Sequence, residues 1–244
     1  MHVTPSELRA VRRQTLTLRT ARLGPVGAVL AEVPAAGEAR TTLEDPCDRP
    51  HWAVVLRGEV EVDVAGNRFA VPAGHTFHVA GGDPAHRFFA SRRSVLAGFA
   101  PLGPPKPRGR NGAASGAWPP VIQLAGSTAA GPVTAGDVVA ETTDAGDWLM
   151  TQAAFGATSG YGSDWCDVSH WGVVVSGGLA IEYEDDGEVL GAGDFYYCPP
   201  GPPGHKFEVA DGATIVDFTP RDALARATRL AYWRSRPGEA ATAR

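Results

Sequence analysis

Asp45-Pro46-Cys47-Asp48-Arg49-Pro50-His51-Trp52 is written twice in this chain. It returns as Asp164-Trp165-Cys166-Asp167-Val168-Ser169-His170-Trp171, with the spacing D-x-C-D-x-x-H-W unchanged. Each copy runs into an apolar, strand-like segment, Ala53-Val54-Val55-Leu56 or Gly172-Val173-Val174-Val175, and then reaches a glycine, Gly58 or Gly177. The offset is 170 − 51 = 119, and the same shift carries Gly74 to Gly193, His86 to His205, Phe88 to Phe207, Phe99 to Phe218 and Pro101 to Pro220. It also reaches back to Gly27/Gly146, Leu30/Leu149 and Gly37/Gly156 without an insertion. Two copies of one domain is the economical reading, and two long units exclude a solenoid of short repeats.

Within each unit the pattern is β. Val60, Val62 and Val64 alternate with Glu61 and Asp63, and Leu179, Ile181 and Tyr183 repeat the inward set with Glu182 and Glu184 outside. Turn residues follow at Ala65-Gly66-Asn67 and Asp185-Asp186-Gly187. Short alternating strands separated by regular turns imply a sandwich or barrel. Two short helices are expected at the ends. Thr4-Pro5-Ser6-Glu7 reads as a capping box leading to about Arg13, and Thr219-Pro220 reads as the start of a helix through Tyr232, stopped by Pro237-Gly238. The expected organisation is an N-terminal helical arm (1–20), a first unit (21–102), a Pro/Gly-rich linker (103–118), a second unit (119–220) and a C-terminal helix with a tail (221–244).

Composition narrows the function classes. With 43% hydrophobic residues and a net charge of −5 among 244 residues, the chain is an ordinary globular protein and not a disordered one. The nearest thing to a basic run, Lys106, Arg108 and Arg110, sits among prolines and glycines, so no nucleic-acid partner is expected. No apolar run has the length of a membrane span, and Met1-His2-Val3-Thr4 is not the start of a hydrophobic signal segment. Three cysteines, two of them at equivalent repeat positions, favour reduced thiols and a cytoplasmic location over a disulfide framework.

Together these residues resemble the two-motif signature of the cupins. The first copy is Pro50-His51-Trp52 to Gly58, Pro72-Ala73-Gly74 and Pro84-Ala85-His86-Arg87-Phe88; the second is Ala192-Gly193-Asp194-Phe195 with Pro199-Pro200-Gly201 and His205-Lys206-Phe207. The C-x-x-x-H-W wording is also similar to small bacterial single-domain cupins of undefined activity. The resemblance covers most of both units and implies a bicupin: an all-β chain of two tandem double-stranded β-helix (jelly-roll) barrels. In the cupin pattern the first motif supplies two histidines and a glutamate and the second a further histidine, all converging on a metal. This sequence has Asp45, Cys47, His51 and His86 at those places in one unit, and Asp164, Cys166, His170 and His205 in the other. The usual three-histidine, one-glutamate set is absent.

Residues 45, 47 and 51 share a parity and so share a face on an extended segment. A thiolate with two imidazoles suits a borderline divalent metal, Zn²⁺ first and Fe(II) second, with one tetrahedral position left for water or substrate. The expected metal ligands are therefore Cys47, His51, His86, Cys166, His170 and His205. The competing reading makes the cysteines small buried hydrophobes and the histidines satisfied core groups.

The other chemically notable residues have structural readings beside functional ones. Asp48 and Asp167 either orient a ligand histidine or close a turn. Trp52 and Trp171, of opposite parity to the histidines, are expected to pack outside the barrel or against the other unit. His78, opposite Tyr197 in the repeat, is the candidate acid or base if it faces the cavity. Cys198, opposite Val79, is expected to pack.

The leading functional expectation is a metal-dependent bicupin enzyme acting on a small-molecule substrate by Lewis-acid and proton-transfer chemistry, of isomerase, cyclase or lyase type. An Fe(II)-dependent cupin dioxygenase and a non-catalytic metal- or ligand-binding cupin are the alternatives. Monomer and homodimer are both compatible with two fused units.

Overall fold

The computed structural model describes residues 2–13, 16–36, 39–43, 46–82, 85–102, 121–124, 133–135, 138–156, 161–162, 165–202, 204–209 and 212–226. Asp45, Asp164, the linker 103–118 and the chain beyond 226 lie outside the described residues. The remainder is almost wholly β, as the alternating pattern requires. In Glu59–Val64 the three valines are buried and the acidic residues between them reach solvent to varying degrees, because successive side chains point to opposite faces.

The first unit is two packed sheets. One runs Val121–Leu124, Thr76–Val79, His51–Arg57, Val95–Pro101, Val26–Glu32, Leu16–Leu23 and Arg9–Arg13; the other runs Thr41–Thr42, His86–Ala90, Glu59–Val64 and Asn67–Pro72. Val55, Val62, Val71, Phe77, Phe88 and Leu96 fill the space between them. The second unit repeats the plan around one long strand, His170–Tyr183. Its first half pairs with Phe195–Cys198 and Ala213–Pro220, and its second half with Gly187–Gly191 and His205–Val209.

The strand passes from one sheet to the other at Gly177, just after a register irregularity between Val174 and Ser176. Gly58, 119 residues earlier, separates His51–Arg57 from Glu59–Val64 at the same place. Both glycines have φ of +76°, and a Cβ on Gly177 would lie 2.1 Å from the Gly212 carbonyl oxygen. Only a residue without a side chain can make this corner.

The units are tied by exchanged strands and a shared core. His2–Val3 adds to the edge of the second unit against Phe195–Cys198, while Val121–Leu124 adds to the first against Thr76–Val79. The repeat offset relates the two guests, since 121 − 119 = 2. Between the sheets lie Leu23, Leu30, Trp52 and Phe99 from one unit with Met150, Trp171, Phe195 and Phe218 from the other. Each such side chain contributes about 1.5–3 kcal/mol by leaving water. Trp148 stands 4.9 Å from both Trp52 and Trp171, and Trp171 Nε1 donates to the Leu23 carbonyl across the junction at 2.9 Å. The tryptophans thus occupy the outer face that their parity indicated. No helix among the described residues is long and apolar enough to cross a membrane.

The expected N-terminal helix is corrected. Its capping bonds do form: Glu7 N–H donates to the Thr4 carbonyl at 3.0 Å, and Thr4 N–H donates to Glu7 Oε2 at 2.8 Å. They close a single turn, after which Arg9–Arg13 is a strand paired with Leu16–Leu23. A helix of this length is marginal alone. A five-residue ladder with Leu8 buried in the junction core is the better use of the segment. At the other end Thr219 and Pro220 finish the strand Ala213–Pro220, and the described helix is Arg221–Arg226.

Gly177→Ala is expected to destabilise the chain by clearly more than Gly66→Ala. Gly66 also has positive φ (+82°), yet nothing lies within 4 Å of its virtual Cβ. The backbone term alone costs about 1–2 kcal/mol at either site. Urea unfolding midpoints compare the two variants, and equal losses would show that the corner is not sterically closed.

Candidate metal centres

A backbone device brings the donors together. Cys47 and His86 form an isolated antiparallel bridge in which each N–H donates to the other's carbonyl at 2.9 Å; Cys166 and His205 do the same at 2.7 and 2.8 Å. The bridge holds a cysteine from the loop before one strand beside a histidine at the start of another. The Asp48 and Asp167 carbonyls accept from Gly82 and Gly201, at 2.7 and 3.0 Å, and pin the same loops.

Four residues after each cysteine the strand delivers the first histidine. Cys47 Sγ is 3.2 Å from His51 Nε2, and Cys166 Sγ is 3.3 Å from His170 Nε2. The paired imidazoles meet edge to face, with centroids 5.0 Å apart in the first unit and 5.2 Å in the second. In each group of three, the donor atoms all lie within 4.8 Å of one another. Tetrahedral bonds to zinc put sulfur and nitrogen about 3.5 Å apart, so both spacings suit one shared ion. Backbone N–H groups of Arg49 and Val168 point at the two sulfurs at 3.5 and 3.4 Å, a placement that compensates thiolate charge. Both ring nitrogens of His205 are buried without a hydrogen-bond partner among the described residues. A buried imidazole in that state is costly unless something else takes its lone pair.

The cavity-facing role considered for His78 is corrected. Cross-strand register sets Trp52 opposite His78 and His51 opposite Val79, so His78 shares the face of Trp52 and not that of His51. Its ring stacks on Trp52 at 5.6 Å and 20°, just as Tyr197 stacks on Trp171 at 5.0 Å and 17°. The physical reason is strand parity: position 78 is an outward position in both units. Cys198, opposite His170 in register, is fully buried, and Tyr183 OH donates to its sulfur at 3.8 Å.

The second unit contains a polar network that sequence reasoning missed. His170 Nδ1 is 2.9 Å from Asp217 Oδ1 and 2.9 Å from Thr219 Oγ1; Tyr196 OH donates to Asp217 Oδ2 at 2.8 Å. Thr219 Oγ1 also donates to Asp217 Oδ1 at 3.0 Å. Tyr196, Gly172 and Asp217 are aligned across three neighbouring strands. A Cβ on Gly172 would fall 2.1 Å from the Tyr196 ring, so this glycine lets the phenol reach the carboxylate. The available signal was a single charge inside Ile215-Val216-Asp217-Phe218, a run otherwise apolar.

Electrostatics separates the histidines. Burial, reinforced by neighbouring histidines, depresses His51 to about 3 and His205 to about 3; burial also depresses His86 and His78 to about 4 each, Asp48 partly opposing it at His86. Burial pushes His170 down as well, but the charge and hydrogen bond of Asp217, with help from Cys166, outweigh it and raise the group.

No protein-family model and no curated protein matches the sequence. Solved structures do match its shape. AerE from Microcystis aeruginosa superposes with a TM-score of 0.66 at 12% identity, over 87% of this chain and 96% of that one. Oxalate decarboxylase from Bacillus subtilis at pH 4.6 gives 0.66 at 12%, over 90% of this chain and 76% of that one. The same enzyme, in a structure concerned with its Mn(II) centres, gives 0.65 at 12%, over 90% and 77%. This chain has a bicupin fold. At such identities the likeness establishes architecture alone, and this chain's chemistry must be argued from its own side chains.

The metal-free chain is expected to lose stability as pH falls from 6.5 toward 4. His51, His78, His86 and His205 sit below their unfolded value of 6.5, so the unfolded chain binds more protons in that window. Each group's stabilisation is present above pH 6.5 and is lost on acidification, at up to about 1.4 kcal/mol per pH unit. His170, raised in the fold, works in the opposite direction: its stabilisation is fully present only below 6.5, so between pH 7 and pH 5 it offsets a part of what the four depressed histidines lose. Urea midpoints at pH 7 and pH 5, with chelator present, test this; an unchanged midpoint contradicts it.

Proposed function

We propose that this bicupin is a metal-dependent enzyme acting on a small organic molecule by Lewis-acid and proton-transfer chemistry, of isomerase, cyclase or lyase type. The observation that carries the proposal is the convergence of one thiol and two imidazoles in each unit, at spacings that suit one tetrahedral ion. Cys47, His51 and His86 would hold one ion, and Cys166, His170 and His205 the other. A sulfur donor favours Zn²⁺, with Fe(II) next, over the harder Mn²⁺ named for the Bacillus subtilis oxalate decarboxylase. When bound, the ion supplies a Lewis acid at its open position, polarising a carbonyl or carboxylate oxygen.

The chain's own groups supply the rest. In the second unit Phe207 lies 5.5 Å from His205 and 6.0 Å from His170, and in the first Phe88 lies 5.1 Å from His86 and 5.2 Å from His51; these rings exclude water around the donors. Tyr183 stands beside the second centre, its ring 6.4 Å from His205. Burial and the neighbouring Cys198 raise its phenol well above the ordinary value. It therefore stays protonated, and by turning from Cys198 Sγ it serves as a hydrogen-bond donor to a bound oxygen, a role His78 does not take in this reading.

Elemental analysis of freshly purified chain is expected to show close to two equivalents of Zn²⁺ or iron, falling to one in Cys47→Ala and to one in Cys166→Ala. Unchanged stoichiometry in both variants would remove the thiolate-ligand proposal. Turnover that survives under anaerobic conditions with Zn²⁺ supports the Lewis-acid route, whereas oxygen consumption coupled to turnover would replace it with an iron-dependent oxygenase.

A further inference from the structure

The two centres have the same donors and different surroundings. The repeat offset takes Asp217 to Gly98, Tyr196 to Phe77, Thr219 to Ala100 and Gly172 to Ala53, so the second unit alone carries the polar set at these positions. We propose that Asp217 is a positioning residue for His170, and that it makes the second centre the tighter of two unequal metal sites. This inference rests on the metal-binding reading above and adds to it a division of labour between the units.

The geometry does three things. First, Asp217 is almost completely buried (1% exposed) and accepts from Tyr196 OH, Thr219 Oγ1 and His170 Nδ1, at 2.8, 3.0 and 2.9 Å. The carboxylate is locked by its own supports, so it locks the imidazole. Second, with the Nδ1 proton committed to Asp217, the proton that His170 gives up to an ion is the one on Nε2, so the lone pair opens on the atom 3.3 Å from Cys166 Sγ. That is the tautomer a metal requires. Third, a dication held by a single thiolate would leave one positive charge in a buried site, and the carboxylate of Asp217, bonded to the ligand histidine, would offset it. Gly98 cannot do the same for the first unit.

The alignment that permits this is specific. Tyr196 crosses the strand at Gly172 to reach Asp217, whereas in the first unit Ala53 fills that place and a Cβ on Gly98 would already lie 3.4 Å from the Ala53 Cβ. The first unit has closed with hydrocarbon the space that the second uses for a carboxylate and a phenol. A site of lower affinity in the first unit suits an ion that exchanges, and a locked site in the second suits an ion that stays.

The full chain, freed of metal by chelator dialysis, is titrated with Co²⁺ and with Zn²⁺ against a chromophoric chelator. Cys47→Ser isolates the second centre and Cys166→Ser the first. The second centre is expected to bind at least about 10-fold more tightly. Within Cys47→Ser, Asp217→Asn is expected to weaken binding about 10- to 100-fold. An amide at 217 can donate to Nδ1 and drive the proton to Nε2, against the metal. The thiolate-to-Co²⁺ absorption band should persist at saturation, which separates a misplaced imidazole from a lost sulfur ligand. The first centre, read in Cys166→Ser, should not respond to Asp217→Asn. Tyr196→Phe preserves the ring, removes one support of Asp217, and should weaken the second centre by a smaller factor; it carries the test if Asp217→Asn fails to fold. Equal affinities, or an Asp217→Asn chain that binds as before, overturn the inference while leaving the metal reading intact. A parent chain that takes up neither ion overturns both.

Discussion

Two pairs of backbone hydrogen bonds hold the chemistry of this protein together. The bridge between Cys47 and His86, and its copy between Cys166 and His205, join residues 39 apart in sequence (86 − 47 = 39; 205 − 166 = 39) into a single antiparallel step. Opposed residues in such a step send their side chains to the same face. The sulfur and the second imidazole are thereby neighbours. The first imidazole follows from the strand that begins four residues later. A donor set brought together by main-chain geometry would lose less entropy on binding the proposed ion than one gathered from free segments.

Around that step the fold is two packed barrels with one junction. The junction is built from outward-facing residues, and their parity excludes them from the cavities. Trp52, Trp171, His78 and Tyr197 belong to this layer, where rings stack across strands and Trp148 stands between the two tryptophans. Each unit also lends the other an edge strand, which pairs backbone groups that would otherwise invite association with another chain. The same alternation that buries the donors therefore joins the halves.

Duplication has preserved the donors and altered what lies behind them. In the second unit a carboxylate, a phenol and a hydroxyl back one imidazole; the corresponding residues of the first are glycine, phenylalanine and alanine. Such a difference changes the charge and the tautomer at a site without changing its ligands. It also gives Tyr183 and Cys198 their setting, because both lie in the unit whose interior has become polar.

The sequence by itself determined the duplication, the β architecture, the pairing of each thiol with a histidine and the outward place of the tryptophans. Each is a matter of period and offset, which a linear text records. The N-terminal segment shows where that record stops: Thr4 to Glu7 carries a complete helix-start signal, yet a sheet edge was available and the strand Arg9–Arg13 took it. Only the tertiary structure decided that His78 faces the junction, because parity must be counted from a pairing register. Likewise it alone placed Asp217 behind His170. The two residues are 47 apart in sequence, and their meeting depends on a strand alignment and on the missing side chain of Gly172.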